Sequence, residues 1–571
     1  EIKVVADNRV EGYTRVRGGW NKGEAYAVYF SAIFEQPFSD FGIWKDSVII
    51  DSIDVAFDEG LSTGAYLLFP EELNTVQVKV GISFLSNGKA YQNIQEEIPH
   101  WDFETTLWEA ENSWSSLLDN IKVSTDIDSL KTIFYTGLYH ALLMPADRTG
   151  ENPKWQSDQP YYDDFYAIWD TYRATHPLYL LLAPDRQKDI LNALIDIYSV
   201  EGYMPDARSG NASGRTQGGS NSDVLIADAF TKGLTGINYE KALESMLKNA
   251  EVPPGYAHQM KGRGGLLDYN QLGYVSTNHE RAGSRTVEYA YNDYCIYLVA
   301  KGLGKDSIAA KYFARSNNWK NLWKPVSDSG AKGFIMPRNA SGEWDESYLG
   351  RAWQSEKGWQ PVDFSVHVSG TWPDFFYEAD SWEYSFYVPH DLPSLIDACG
   401  GRQAFEKRLD TFFAEDYYNV SNEPSFLTPS LYNYLGRQDK TLTCVRQIIA
   451  DRYNTTAAGI PGNDDSGSMS AWVAFHLMGF YPVAGQDLYL ITAPHFKEVT
   501  IDMGSQTPFT VITHNLSEKN IYLQKVHLNG QELRQSWFRH TDIKPGGKLE
   551  FFIGDQPTND WEVLLPSQSS E

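Results

Sequence analysis

Cysteine is nearly absent from this sequence: Cys295, Cys399 and Cys444 are the three in 571 residues. So odd and sparse a set gives neither a disulfide framework nor a metal-ligand spacing, and stability has to come from packing. Long apolar runs are missing as well. None is long enough to span a bilayer and no signal-peptide pattern is present, which speaks against membrane insertion. Basic residues are scarce, 48 Lys and Arg against 75 Asp and Glu, for a formal net charge of −27. That charge repels phosphate backbones and anionic membranes alike, so nucleic acid is excluded as a partner. The chain opens with Glu1 rather than Met, and a processed or partial product is the expectation.

What is abundant is aromatic. Phe, Trp and Tyr make up 14% of residues, with 17 Trp and 35 Tyr. A polar chain this rich in flat amphipathic rings suits a wet binding cleft, with carbohydrate the obvious ligand class. The length exceeds one ordinary core and implies two or three domains. Five Asn-x-Ser/Thr triplets, at Asn211, Asn339, Asn419, Asn454 and Asn515, are acceptors only on a eukaryotic secretory route.

Along the chain the hydrophobic period changes twice. Residues 1–100 read as short strands, among them Tyr26-Ala-Val-Tyr-Phe-Ser-Ala-Ile-Phe34 and Val76-Gln-Val-Lys-Val-Gly-Ile-Ser-Phe84, several with period-2 alternation. Residues 101–126 carry apolar side chains at helical intervals, as in a linking helix. From 127 to 481 helical spacing dominates, at 129–143, 169–182, 187–200, 224–234, 287–303, 309–322, 402–413, 440–449 and 470–478. The long polar connections between these helices are rich in Gly, Trp and Tyr, which predicts a helical toroid whose loops carry the site. Residues 482–571 return to short strands, with an Asn529-Gly530 hairpin turn. The fold class expected is multidomain α+β: an N-terminal β-sandwich, then an (α/α)6 toroid with C-terminal β-strands.

Four loop stretches carry candidate chemistry. In Pro461-Gly-Asn-Asp-Asp-Ser-Gly-Ser-Met-Ser-Ala-Trp472 the carboxylates of Asp464 and Asp465 sit among small residues before an apolar segment. They read equally as substrate-facing acids or as a helix N-cap. Residues 375–391 interleave Glu378, Asp380, Glu383 and Asp391 with rings including Trp382. A carboxyl against aromatic walls holds a proton near neutrality, as a general acid must; acids complementing a helix dipole are the alternative. In Tyr161-Tyr-Asp-Asp-Phe-Tyr-Ala-Ile-Trp169-Asp170-Thr-Tyr-Arg173, Trp169 offers a stacking plate, and Asp170 and Arg173 share a helical face, to bridge each other or grip hydroxyls. In Ser421-Asn422-Glu423-Pro424 and onward to Pro429 two prolines stiffen the loop that presents Asn422 and Glu423. Glycoside hydrolysis would use all four, since it needs one protonated carboxyl and one carboxylate.

These motifs resemble glycoside hydrolase family 92, calcium-dependent inverting exo-α-mannosidases. The likeness runs from Val10-Glu-Gly-Tyr-Thr-Arg-Val-Arg-Gly-Gly19 through Tyr166-Ala-Ile-Trp-Asp-Thr-Tyr-Arg173, Trp382-Glu-Tyr-Ser-Phe-Tyr-Val-Pro-His-Asp391 and Gly462-Asn-Asp-Asp-Ser-Gly to Phe480-Tyr-Pro-Val-Ala-Gly-Gln486. The resemblance implies a β-sandwich followed by an (α/α)6 toroid with the mannose site between them. It implies Glu378 as general acid and Asp465 as the base on water, with Asp464 as helper. Trp169, Asp170, Arg173, Trp382, Glu383, Asn422, Glu423 and Asn463 are the implied substrate-binding residues. Calcium would hold the mannose 2- and 3-hydroxyls and favour a distorted ring; no EF-hand-like spacing names its ligands. Asn463 stands two before the base, where the family often has a second acid. Asn422 stands where α-1,2-specific members carry His before Glu. Members usually begin with a further β-rich segment that does not precede Glu1, so the sandwich is expected to be incomplete. The reading is a secreted, periplasmic or cell-surface enzyme releasing terminal α-linked mannose, α-1,2 first, from N-glycans or mannan. A mannose-binding protein without turnover and another toroidal enzyme, such as a phosphorylase, are the alternatives; the adjacent Asp464 and Asp465 would repel a phosphate dianion.

Overall fold

The computed structural model describes residues 1–17, 24–46, 48–51, 54–58, 60, 62–214, 217–254, 261–345, 375–558 and 561–563. Gly18 and Gly19 of the first motif lie outside them. The chain divides into two compact units. One comprises Glu1–Ser116, Asp147–Asp164 and Ser209–Ala212; the other comprises Leu117–Ala146, Phe165–Arg208 and Ser213–Glu571.

In the first unit a five-stranded sheet runs in the order Val55–Ala56, Ile2–Ala6, Arg9–Val16, Tyr26–Phe34, Val78–Ser83, and a three-stranded sheet in the order Val48–Asp51, Asp40–Lys45, Thr63–Leu68. Apolar residues at alternate positions give each sheet an inner face. The faces meet around Ile2, Val4, Val10, Phe38, Ile43 and Ala56, with Phe30, Phe34, Phe41 and Phe69 packed against them. Strand Val78–Ser83 inverts this pattern: Val78, Val80 and Ile82 are exposed while Lys79 and Ser83 are buried. Helix Asn87–Glu97 is the reason, because it packs on the Lys79 face. A Cβ at Gly81 would stand 2.3 Å from the Ala90 carbonyl oxygen, so only glycine lets the helix approach.

The second unit is helical, with Asp128–Ala141, Pro184–Glu201, Ser222–Thr231, Ala282–Gly302, Arg402–Ala414, Gln438–Arg452 and Ser468–Met478 matching the apolar spacing; the expected 169–182 helix is divided into Ile168–Thr171 and Thr175–Leu182, and the expected 309–322 helix into Asp306–Arg315 and the 3-10 helix Asn318–Leu322. Thr175–Leu182 and Ser468–Met478 are buried along their whole length, as helices hydrophobic on all sides must be. Helix Tyr239–Glu251 lies outside the segments expected to be helical, although its inner face, Ala242, Leu243, Ser245, Met246, Asn249 and Ala250, recurs at helical intervals along the chain. The linking helix also ends sooner than its spacing predicts. It stops at Leu118, and Ile121–Ser124 is a strand pairing antiparallel with Glu498–Ile501. That strand becomes the edge of a six-stranded sheet ordered Gln531–Leu533, Tyr522–Leu528, Gly547–Gly554, Phe509–His514, Glu498–Ile501, Ile121–Ser124. Backbone hydrogen bonding to the C-terminal strands overrides the helical pattern of these residues. The Asn529-Gly530 turn closes its hairpin with both residues at positive φ, 53° and 81°. The architecture is the expected α+β: N-terminal sheets, a helical domain and C-terminal strands.

Candidate active site

The loop before helix Ser468–Met478 passes through three successive left-handed residues, Asp465, Ser466 and Gly467, at φ 42°, 60° and 83°. This turn sends the two adjacent carboxylates in different directions. Asp464 caps the helix: its carboxylate accepts from the Ser470 backbone N–H at 2.9 Å and from the Ser470 hydroxyl at 2.8 Å. Its carbonyl accepts from the Ser468 N–H at 2.7 Å. Asp464, expected as a catalytic helper, spends these oxygens on the free N–H groups of a helix start, and His140 Nδ1 lies 3.6 Å from its Oδ2. Asp465 points elsewhere and accepts from the Tyr166 hydroxyl at 3.3 Å. Burial, with Asp465 adding to it, pushes that phenol up to about 12, so it remains a donor. Burial raises Asp465 itself, while Tyr166 restrains the shift. Asn463 is exposed.

Trp169 and Asp170 lie on the one-turn helix Ile168–Thr171. Trp169 is fully buried, packed edge-on against Tyr377 with centroids 5.0 Å apart. Its indole N–H donates to Glu288 Oε1 at 2.9 Å. The same oxygen accepts from Arg173 Nη2 at 3.0 Å and from the Tyr384 hydroxyl at 3.1 Å. Arg173 also donates to the Trp169 carbonyl at 3.0 Å. The guanidinium expected to bridge to Asp170 or to grip hydroxyls belongs to a buried clamp on Glu288, a residue of helix Ala282–Gly302. Gly218 closes that clamp, since a Cβ there would stand 2.4 Å from the Trp169 indole nitrogen.

With Arg173 engaged, Asp170 faces two other carboxylates. Asp170, Glu423 and Asp465 each place an oxygen within 4.8 Å of the others. Asp170 and Glu423 are buried, and among the described residues Asp170 Oδ1 and both Glu423 oxygens have no hydrogen-bond partner. Burial first, and the neighbouring carboxylates second, push both well above the usual carboxylate range. Orphaned hard oxygens crowded in this way fit a divalent cation such as calcium. Glu423 is held there by the 3-10 turn Glu423–Ser425, with Pro424 stiffening it.

Glu378 stands at φ 47°, again left-handed, and is part-exposed. Burial raises its carboxyl to about 7; the Tyr377 hydroxyl and Arg281 pull it down and Asp465 pushes it up. The Arg281 guanidinium lies 4.0 Å over the Tyr377 ring, and the carbonyl of Glu378 accepts from the Asn422 side-chain amide. Trp382 and Glu383, read as substrate-binding, are buried in the packing behind this loop. The Trp382 indole donates to Asp328 at 3.0 Å. Glu383 closes a capping box with Asp380 and accepts from the Ser425 hydroxyl at 2.9 Å. Both have their polar atoms committed to the scaffold. Glu288, Tyr377 and Arg281 went unrecognised in the sequence; a carboxylate amid the helical period of 287–303 was the one visible signal.

The chain matches the Glycosyl hydrolase family 92 N-terminal domain over residues 1–83 and the Glycosyl hydrolase family 92 catalytic domain over residues 89–555. It belongs to glycosyl hydrolase family 92. An uncharacterized secreted glycosidase of Arthroderma benhamiae is 34% identical over 532 residues, 87% of this chain; the chain spans 64% of that relative's length. Among solved structures, a family 92 inverting mannosidase of Bacteroides thetaiotaomicron is 28% identical with a TM-score of 0.85, over 99% of this chain and 78% of that one. A family 92 alpha-mannosidase of the same organism, in complex with mannoimidazole, is 27% identical with a TM-score of 0.86, over 100% of this chain and 76% of that one.

Proposed function

We propose that the protein is an exo-acting α-mannosidase that hydrolyses terminal α-linked mannose, α-1,2 first, from N-glycans or mannan with inversion and with calcium. The observation that carries this reading is the clustering of Asp170, Glu423 and Asp465 oxygens within 4.8 Å of one another, beside the part-exposed Glu378, whose carboxyl burial raises to about 7 and Asp465 pushes further up. Glu378 gives its proton to the glycosidic oxygen as the bond to the anomeric carbon breaks. Asp465 takes a proton from the water that forms the new bond on the opposite face, and solvent exchange resets both groups. Asp170 and Glu423, with Asp465 at their margin, are the residues that would hold calcium, which supplies positive charge and coordination for sugar hydroxyls when bound. The Glu288 clamp on Trp169 and Arg173 keeps the Asp170 helix in place.

The relatives support the substrate class: the two Bacteroides structures are mannosidases, one named as inverting and one bound to mannoimidazole. The Arthroderma relative is described as secreted. Among the described residues no helix is long and apolar enough to cross a membrane. Action outside the cytoplasm, as a secreted, periplasmic or cell-surface enzyme, is the reading that the secreted relative supports.

The test is mannose release from α-1,2, α-1,3, α-1,4 and α-1,6 mannobioses, with calcium and then with chelator, following the anomer formed by NMR. Release of β-mannose that chelator abolishes and calcium restores is the expected result. Binding of mannose without release from any disaccharide would favour a lectin-like role and overturn the hydrolase reading.

A further inference from the structure

Asn422 immediately precedes the Glu423–Ser425 turn and is 7% exposed. Its Nδ2 donates to the backbone carbonyl of Glu378. Glu378 needs such support, because φ 47° lies in the left-handed region that an L residue with a long side chain seldom adopts. The chain on either side is pinned by other means. Before it, Phe375 O accepts from the Gly283 N–H at 2.8 Å and the Tyr377 N–H donates to the Ser284 hydroxyl at 2.8 Å. After it, Asp380 and Glu383 close their capping box at 2.9 and 3.2 Å. Glu378 and Ala379 lie between these anchors, and the amide of Asn422 reaches the peptide that joins them.

We propose that Asn422 is a positioning residue for Glu378, holding its backbone left-handed so that the carboxyl faces the scissile oxygen. This rests on the reading of Glu378 as general acid. The neighbouring Glu423 belongs to the carboxylate cluster, so a single proline-stiffened dipeptide registers the acid against the groups that hold the sugar. The bond Asn422 makes is to the backbone of the acid itself and is the same whatever sugar leaves. Asn422 therefore acts on every substrate that needs the proton rather than on one linkage.

Three leaving groups separate this role from the others. Methyl α-mannoside needs protonation but offers no leaving sugar; mannobiose needs protonation and offers one; a dinitrophenyl α-mannoside needs neither. Asn422→Leu, similar in size but without a donor, is expected to lose about 10²-fold in kcat/KM on the first two, the scale of a misplaced catalytic group. The dinitrophenyl substrate should change little, and Asn422→His, which keeps an N–H at similar reach, should recover most of the loss. A loss on mannobiose with methyl mannoside spared would make Asn422 a leaving-sugar contact and overturn the proposal. Equal losses on all three would make it merely structural and overturn the proposal as well. A crystal structure of Asn422→Leu decides independently of turnover. Residue 378 should leave the left-handed region, and an unchanged backbone and carboxyl there would overturn the proposal. If the wild-type protein hydrolyses none of the three, the hydrolase reading fails, while the crystal structure still decides what Asn422 does.

Discussion

Glu378 and Asp465 share a backbone conformation that neither side chain favours: both are left-handed, at φ 47° and 42°. Such residues cost about 1–2 kcal/mol each and persist where the surroundings over-determine them, commonly at functional sites. Here the surroundings are identifiable. Asn422 holds the Glu378 carbonyl, and Asp464 fixes the turn before helix Ser468–Met478 by capping it. Each strained carboxyl is paired with a neighbour whose polar atoms are spent on keeping it there.

Glu378→Gln keeps the shape and removes the proton. The rate on mannobiose is expected to fall by about 10²–10⁴-fold, the usual contribution of a general acid, with far less loss on a dinitrophenyl mannoside. The pH dependence follows from the carboxyl lying at about 7. Its protonated fraction is full below 7 and is lost as pH rises through it, so kcat on mannobiose falls on the alkaline side near pH 7. That limb should vanish with the dinitrophenyl substrate.

The adjacent acids should separate cleanly by what they lose. Asp464→Ala removes a helix cap and is expected to lower stability by about 0.5–2 kcal/mol, read by urea unfolding. Asp465→Asn leaves the cap intact and removes one charge of the carboxylate cluster; hydrolysis should be lost with every leaving group, because water still needs its base, without the destabilisation of a broken cap. The opposite pairing of outcomes would reverse the roles assigned to them.

Calcium should stabilise as well as activate. Three mutually repelling carboxylates, two of them buried, weaken the folded state until a cation compensates them. At about 100 times its Kd, a ligand specific for the folded state adds about 2.7 kcal/mol. Chelator is therefore expected to lower the melting temperature of the wild type. In Asp170→Asn/Glu423→Gln the calcium-dependent shift should shrink toward zero.

Glu288 lies fully buried behind the site and compensates the Arg173 guanidinium at 3.0 Å. Glu288→Ala leaves that cation buried and unpaired, at a cost of about 3–5 kcal/mol. Glu288→Gln keeps an acceptor for Trp169 and should lose less. Equal stability of both variants to wild type in urea would show that the clamp is dispensable.

Much of this protein is determined by its sequence read in order. The sparse cysteines, the acidic balance, the switch from period 2 to helical spacing and back, and the four loop motifs are all local, and they lead to the fold class and to family 92. Glu378 and Asp465 stand out because an acid among rings or small residues is visible within a short window. Tertiary structure decided what depends on residues far apart in the chain. Spacing left Asp464 and Asp465 as caps or catalysts alike; only the left-handed turn at 465–467 assigns one to the helix and the other to Tyr166. Asp170, Glu423 and Asp465 form no motif, because their cluster joins a short helix, a 3-10 turn and a loop that are far apart in the chain. Trp382 and Arg173 read as ligand contacts because a buried ring or guanidinium looks the same in sequence as an exposed one. Burial is a property of the packed whole, and there it turned both side chains toward the scaffold.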